Sequence, residues 1–149
     1  MKKVILSLFI VATIMAAIPA MASGNGWLTN FDEAKKEAAA KNLPILADFS
    51  GSDWCGWCIK LDKEVFSKAS FKAYAKKNLV LLLVDFPSSK SQSADLKSQN
   101  QKLAKKYGVR GYPTVLLLDK NGKVIGKTGY QPGGPEKYIN SIKAMLAKS

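Results

Sequence analysis

The sequence predicts an α/β fold, a mixed central sheet of four to five strands flanked by helices. Three observations lead there. Residues 44–49, 79–85 and 113–119 are almost wholly apolar, as expected of strands covered on both faces. Segments with helical spacing of apolar residues alternate with these runs. The third run instead meets an Asn-Gly turn and a return strand, so the sheet closes with a hairpin. A length of 149 residues suits one domain, and no internal repeat is visible.

Taken in order, Thr29 is placed to cap a helix over 30–41, with Asp32 and Glu33 at the positive end of its dipole. Phe31, Ala34, Ala38 and Ala39 give that helix a modest apolar face. Pro44 ends it, and the first buried strand runs through Asp48 to Phe49. A turn-like stretch, Ser50-Gly51-Ser52-Asp53, leads into Trp54-Cys55-Gly56-Trp57-Cys58. Residues 59–74 have helical spacing in Leu61, Val65 and Phe66, with a break expected near 67–70. After the strand at 79–85 come a Ser/Lys-rich loop over 87–92 and a polar helix over 94–107, with Leu96 and Leu103 facing inward. Asn121-Gly122 suits the positive dihedrals of a type I′ turn between the strands at 113–119 and 124–128. Pro135 opens the last helix, on which Tyr138, Ile142, Met145 and Leu146 share a face.

The chain has two cysteines and no histidine. That excludes Ser-His-Asp and Cys-His catalysis, His-ligated zinc and any imidazole general base. The N-terminus reads as a secretory signal peptide. Lys2 and Lys3 precede an uncharged run over 4–18, Pro19 breaks it, and Ala20-Met21-Ala22 supplies a small-residue cleavage site. The run is shorter than the about 20 apolar residues of a membrane span, and no cysteine follows it to take a lipid. The expected organisation is a signal over 1–22, cut after Ala22, and one exported domain over 23–149, periplasmic or secreted.

Export makes a disulfide the default for the cysteine pair, but their spacing says more. A Cys-x-x-Cys where a strand gives way to a helix puts Cys55 at the helix N-terminus, where free N–H groups and the dipole favour a thiolate. Cys58, one turn later, lies on the same face and can resolve a mixed disulfide. Three other readings compete. A structural disulfide closing so short a loop would contribute about 2 kcal/mol, against about 3 for a loop of about 15 residues. Zinc needs four ligands, which this chain does not offer alone. Two thiolates could hold Cu(I) for delivery, although no Met-rich segment supports them.

The phrase 45–49, then Trp54-Cys55-Gly56-Trp57-Cys58, then Gly108-Val109-Arg110-Gly111-Tyr112-Pro113-Thr114 resembles thioredoxin in order and spacing. Asp119 to Val124 with Gly129 continues the match, and the resemblance covers about Trp27 to the C-terminus. The phrase 49–58 looks most like exported bacterial thioredoxin-like proteins with a WCxWC centre. The resemblance implies the thioredoxin fold and roles for matching residues: Cys55 the attacking thiol, Cys58 the resolving thiol, and Asp48 a buried acid that relays the resolving proton. Pro113 matches a cis-proline beside the disulfide, leaving the Tyr112 backbone free for a substrate strand. Trp54, Gly56 and Trp57 would border the substrate. The sequence also departs from the family. Ser50 stands where an aromatic often follows, the loop over 50–53 is one residue longer, and the lysine that pairs with the buried acid would fall near Leu81, where there is none.

Gly56-Trp57 offers no charge or imidazole to stabilise a thiolate, and Asp53 nearby would oppose one. Both push toward a reducing couple. The expected function is an exported thiol-disulfide oxidoreductase, a dithiol reductase or redox relay acting on protein disulfides and recharged by a thiol-disulfide donor such as a membrane protein. The alternatives are a disulfide oxidase or isomerase, or a Cu(I)-delivery module. No metal or other cofactor is expected, and no dimerisation segment is visible, so the chain reads as a monomer. The 23 Lys+Arg against 11 Asp+Glu are spread over helices and turns without an arginine cluster, which is the pattern of solvated faces rather than a nucleic-acid surface.

Overall fold

Alternation along the apolar run at 45–50 builds the centre of the molecule. Ile45, Ala47 and Phe49 face one side and Leu46 the other, so every position is buried. In the computed structural model, which describes residues 26–149, this run is β2 (Ile45–Ser50). The other elements are β1 (Trp27–Leu28), α1 (Phe31–Lys41), α2 (Gly56–Leu61), a π-helical turn (Asp62–Phe66), α3 (Ala69–Asn78), β3 (Val80–Asp85), α4 (Ala94–Lys106), β4 (Thr114–Leu118), β5 (Val124–Thr128) and α5 (Gly134–Leu146). The predicted signal over 1–22 lies outside the described residues. Among those residues no helix is long and apolar enough to cross a membrane.

The five strands lie in the order β1-β3-β2-β4-β5. β2 is parallel to β3 and antiparallel to β4, which is antiparallel to β5, so the sheet is mixed as expected. Its two faces carry separate cores. Phe31, Ala34, Ala38 and Leu103, from α1 and α4, cover one face. Leu61, Val65, Phe66, Phe71, Tyr138 and Ile142 cover the other, with the Phe66 ring meeting Trp27, Phe71 and Tyr138 at 5.0–5.7 Å between centroids.

Several local expectations change. β1 is too short to leave a periodic pattern, and it pairs with β3 only at Leu81 and Leu82. Asn30, not Thr29, caps α1, its Oδ1 accepting from Glu33 N at 3.0 Å. Ala39, placed on the α1 apolar face, is exposed. The break near 67–70 is present, but a π-turn precedes it, with Ser67 N donating to Asp62 O at 2.8 Å. β3 is not covered evenly: Leu81 and Leu83 are only half-buried because cavities open over them.

The β4–β5 turn is not type I′. Gly122 has φ +85° but Asn121 does not have positive φ. Asp119 Oδ1 accepts from Asn121 N and Lys123 N instead, and the ladder is irregular between Leu117 and Leu118. α4 carries a polar latch that apolar periodicity does not reveal. Buried Asn100 donates to Asp85 O at 2.9 Å, while Gln99 accepts from Phe31 N and donates to Thr29 O.

Candidate active site

The site forms where the parallel strands end. Ser50 closes β2, the chain turns through Gly51–Asp53, and Cys55 N donates to Gly51 O at 2.9 Å. Cys55 is the N-cap of α2, with extended backbone, and its Sγ accepts from Cys58 N at 3.2 Å. Cys55 and Cys58 are joined as a disulfide with Cα atoms 5.2 Å apart. Both are buried, at 6% and 4% exposure. The same N–H would meet a Cys55 thiolate after reduction, at the positive end of the helix.

Above the disulfide lie the exposed aromatics. Trp54 is held by its Nε1, which donates to Phe86 O at 2.7 Å, and its ring meets Tyr112 edge-on at 5.8 Å. A methyl group at Gly51 would enter the Trp54 indole, so the turn needs glycine there. Phe86 in turn contacts Tyr112 at 5.2 Å. The Tyr112–Pro113 peptide is cis. Pro113 immediately precedes β4, whose Thr114 pairs with Phe49, so it stands at the same end of the sheet as the disulfide. Trp57, 57% exposed, leans on Tyr130 at 4.9 Å, with the Lys60 ammonium about 5 Å over both rings. Tyr130 donates to Glu64 at 2.7 Å, which fixes its ring. Gly56 opens α2 with open space where a side chain would project.

Asp48 lies on the other side, on the β2 face that meets α2 and α5. It is 6% exposed, its Oδ1 has no hydrogen-bond partner, and with Cys58 it lines a cavity of ≈ 370 Å³. Burial first, then the charges of Asp62 and Asp85, push its carboxyl up to about 7. The residue beside it on β3 is Leu83, and Leu81 two positions earlier is equally apolar, so β3 offers it no cation.

The loop over 87–92 is clasped to this site. Asp53 accepts from the backbone N–H groups of Ser88, Ser89 and Lys90 and from Ser89 Oγ, at 2.7–3.0 Å. Those bonds hold its carboxyl far below the usual range. Asp85 likewise accepts from Ser52 N and Oγ. Asp53 thus spends its charge on the loop, where the sequence suggested only repulsion of a thiolate.

The fold therefore brings Cys55, Cys58 and Asp48 around one disulfide, and Trp54 and Tyr112 into one aromatic wall. Sequence reasoning missed Phe86, Tyr130, Asp62 and Asp85. Asp62 stands four positions after Cys58, a helical neighbour in plain view; the others reach the site only through the sheet. Among the described residues no group of three or more Cys, Asp or Glu is placed to hold a metal ion.

The chain is similar to known proteins. The thioredoxin-like domain family matches residues 31–144. The chain is 34% identical over 126 residues to the disulfide bond reductase DsbH of Chlamydia pneumoniae, covering 85% of this chain and 76% of that protein. It is 30% identical over 103 residues to the thioredoxin-related protein DsbJ of the same organism, covering 69% of this chain and 30% of that one. A solved structure of a DsbH oxidoreductase superposes with a TM-score of 0.79 at 31% identity, covering 93% of this chain and 95% of the other. With a disulfide capping a helix at the end of such a sheet, the chain belongs to the thioredoxin-like family and is a thiol-disulfide oxidoreductase.

Proposed function

We propose that the protein is an exported dithiol reductase or redox relay that passes electrons from a thiol-disulfide donor to protein disulfides. In this reading Cys55 thiolate attacks a substrate disulfide and releases one substrate thiolate. Cys58, after giving its proton to Asp48, attacks Cys55 Sγ and expels the second. The pair loses two electrons and the substrate gains two. Trp54, Gly56, Trp57, Tyr112 and Pro113 border the incoming segment, and the donor then reduces the disulfide again. Leader-like residues 1–22 support a periplasmic or secreted location for a monomeric 23–149 domain. Similarity to a disulfide bond reductase and to a thioredoxin-related protein supports disulfides as substrates, and the proposed donor is a thiol-disulfide protein of the membrane.

One observation carries the direction. Cys55 Sγ accepts a single amide N–H, Gly56 and Trp57 add no charge, and the exposed Asp62 carboxylate lines the cavity beside Cys58 together with Asp48. A thiolate with so little support is disfavoured, and a disfavoured thiolate makes the couple reducing. Equilibrating the purified protein with glutathione buffers should give a potential near the about −270 mV of thioredoxin. A value near the about −120 mV of the strongest oxidants with this fold would reverse the assignment.

A further inference from the structure

The buried side of the disulfide opens on the cavity that Cys58 lines, and two carboxylates line it as well, Asp48 from β2 and Asp62 from the π-turn. Asp62 follows Cys58 by one turn, so the two side chains leave the helix on one side. It is exposed at the cavity mouth, and its Oδ2 accepts from Ser67 Oγ at 2.9 Å. Building on the oxidoreductase reading, we propose that Asp62 is a positioning residue for the resolving step. Its charge at the mouth of the shared cavity sets how readily Asp48 takes the Cys58 proton.

The surroundings of Asp48 single out Asp62. Asp85 acts on it from the end of β3, Tyr138 faces it from α5, and Lys72 of α3 and Lys90 of the 87–92 loop line the cavity. Asp85 is committed to Ser52, and Tyr138 donates to Gly129 O. Leu83 supplies no charge from the neighbouring strand. After burial, Asp62 is the largest influence raising Asp48.

The chemistry follows from that placement. With a substrate sulfur held on Cys55, the Asp48 carboxylate accepts the Cys58 S–H proton. The Cys58–Cys55 bond forms as the Cys55–substrate bond breaks, and the electron pair leaves on the substrate sulfur, which takes a proton from water. An Asp48 that already carries its proton cannot begin this step. Removing the Asp62 charge frees Asp48 of its proton at lower pH and makes it a weaker base above neutrality.

The test mixes reduced protein with 5,5′-dithiobis(2-nitrobenzoate). Attack by Cys55 releases one coloured thiolate and leaves the other half on its sulfur, and Cys58 then releases the second. The second rate is read from pH 5 to pH 9. Asp62→Asn should move the acid limb down by about half a pH unit, so release at pH 5.5 is about threefold faster than wild type. Asp62→Glu, which keeps the charge, should restore the wild-type profile, and Ser67→Ala, which removes only the hydrogen bond, should leave it unmoved. An Asp62→Asn profile with the wild-type midpoint, whatever its absolute rate, overturns the proposal, as does an equal shift in Ser67→Ala. Second release that persists in Cys58→Ser removes the underlying oxidoreductase reading instead, a result distinct from either.

Discussion

Asp48 shows how a single residue sets function against stability. Its carboxyl is buried without a partner for Oδ1 and holds its proton up to about pH 7, whereas an unfolded chain releases it near pH 4. Below pH 4 both states are protonated and nothing is lost. Between pH 4 and 7 the unfolded state alone gains from ionising, so the folded state loses stability progressively, up to about 4 kcal/mol, and stays at that level above pH 7. Asp48→Asn should therefore match wild type in urea denaturation at pH 3.5 and exceed it by several kcal/mol at pH 8, while resolving mixed disulfides more slowly. An equal gain at both pH values would assign the effect to packing instead of charge. A group retained at that cost, beside Cys58, fits a proton carrier better than a structural acid.

At the scale of elements, the β4–β5 turn offers the clearest prediction. Gly122 has φ +85°, its O accepts from Tyr107 Oη at 2.7 Å, and an added methyl would stand 3.0 Å from Phe31 Cζ. Gly122→Ala should cost about 1–3 kcal/mol by chemical denaturation. The turn follows Leu118, which pairs with Ile45 at the end of β2 away from the disulfide, so turnover of the folded variant should be unchanged. This turn also marks the limit of what the sequence conveys. Asn121-Gly122 located the hairpin correctly but not its turn type, because the Asp119 side chain takes the amides that a type I′ turn would leave to the backbone. Cys55 and Cys58 were legible because the helical period places them together without long-range information, whereas Asp48 was singled out by the resemblance to thioredoxin. Trp54 beside Tyr112, and Trp57 on Tyr130, were not, since only the order of strands brings residues 54 and 112 together. β1 and the Asn100 latch were hidden for related reasons. A two-residue strand has no period, and a buried asparagine in a polar helix looks like surface.

At the scale of the whole molecule, the redox state and the stability of the fold are linked. If the Cys55–Cys58 couple is reducing, its disulfide form must be favoured by the folded chain, so oxidised protein should melt at a higher temperature than reduced protein. The opposite order in calorimetry would place the protein among oxidants, whose reduced form is the stabilised one. The position of β1 has a consequence for how such a molecule is presented. Trp27 pairs with Leu81 near the start of β3, whereas the disulfide follows the far end of the adjoining β2. The two ends of a six-residue strand stand roughly 15 Å apart. The chain therefore enters the described fold at Gly26 from the pole opposite the redox face, and the entering strand leaves the approach to exposed Trp54 and Trp57 clear for arriving partners.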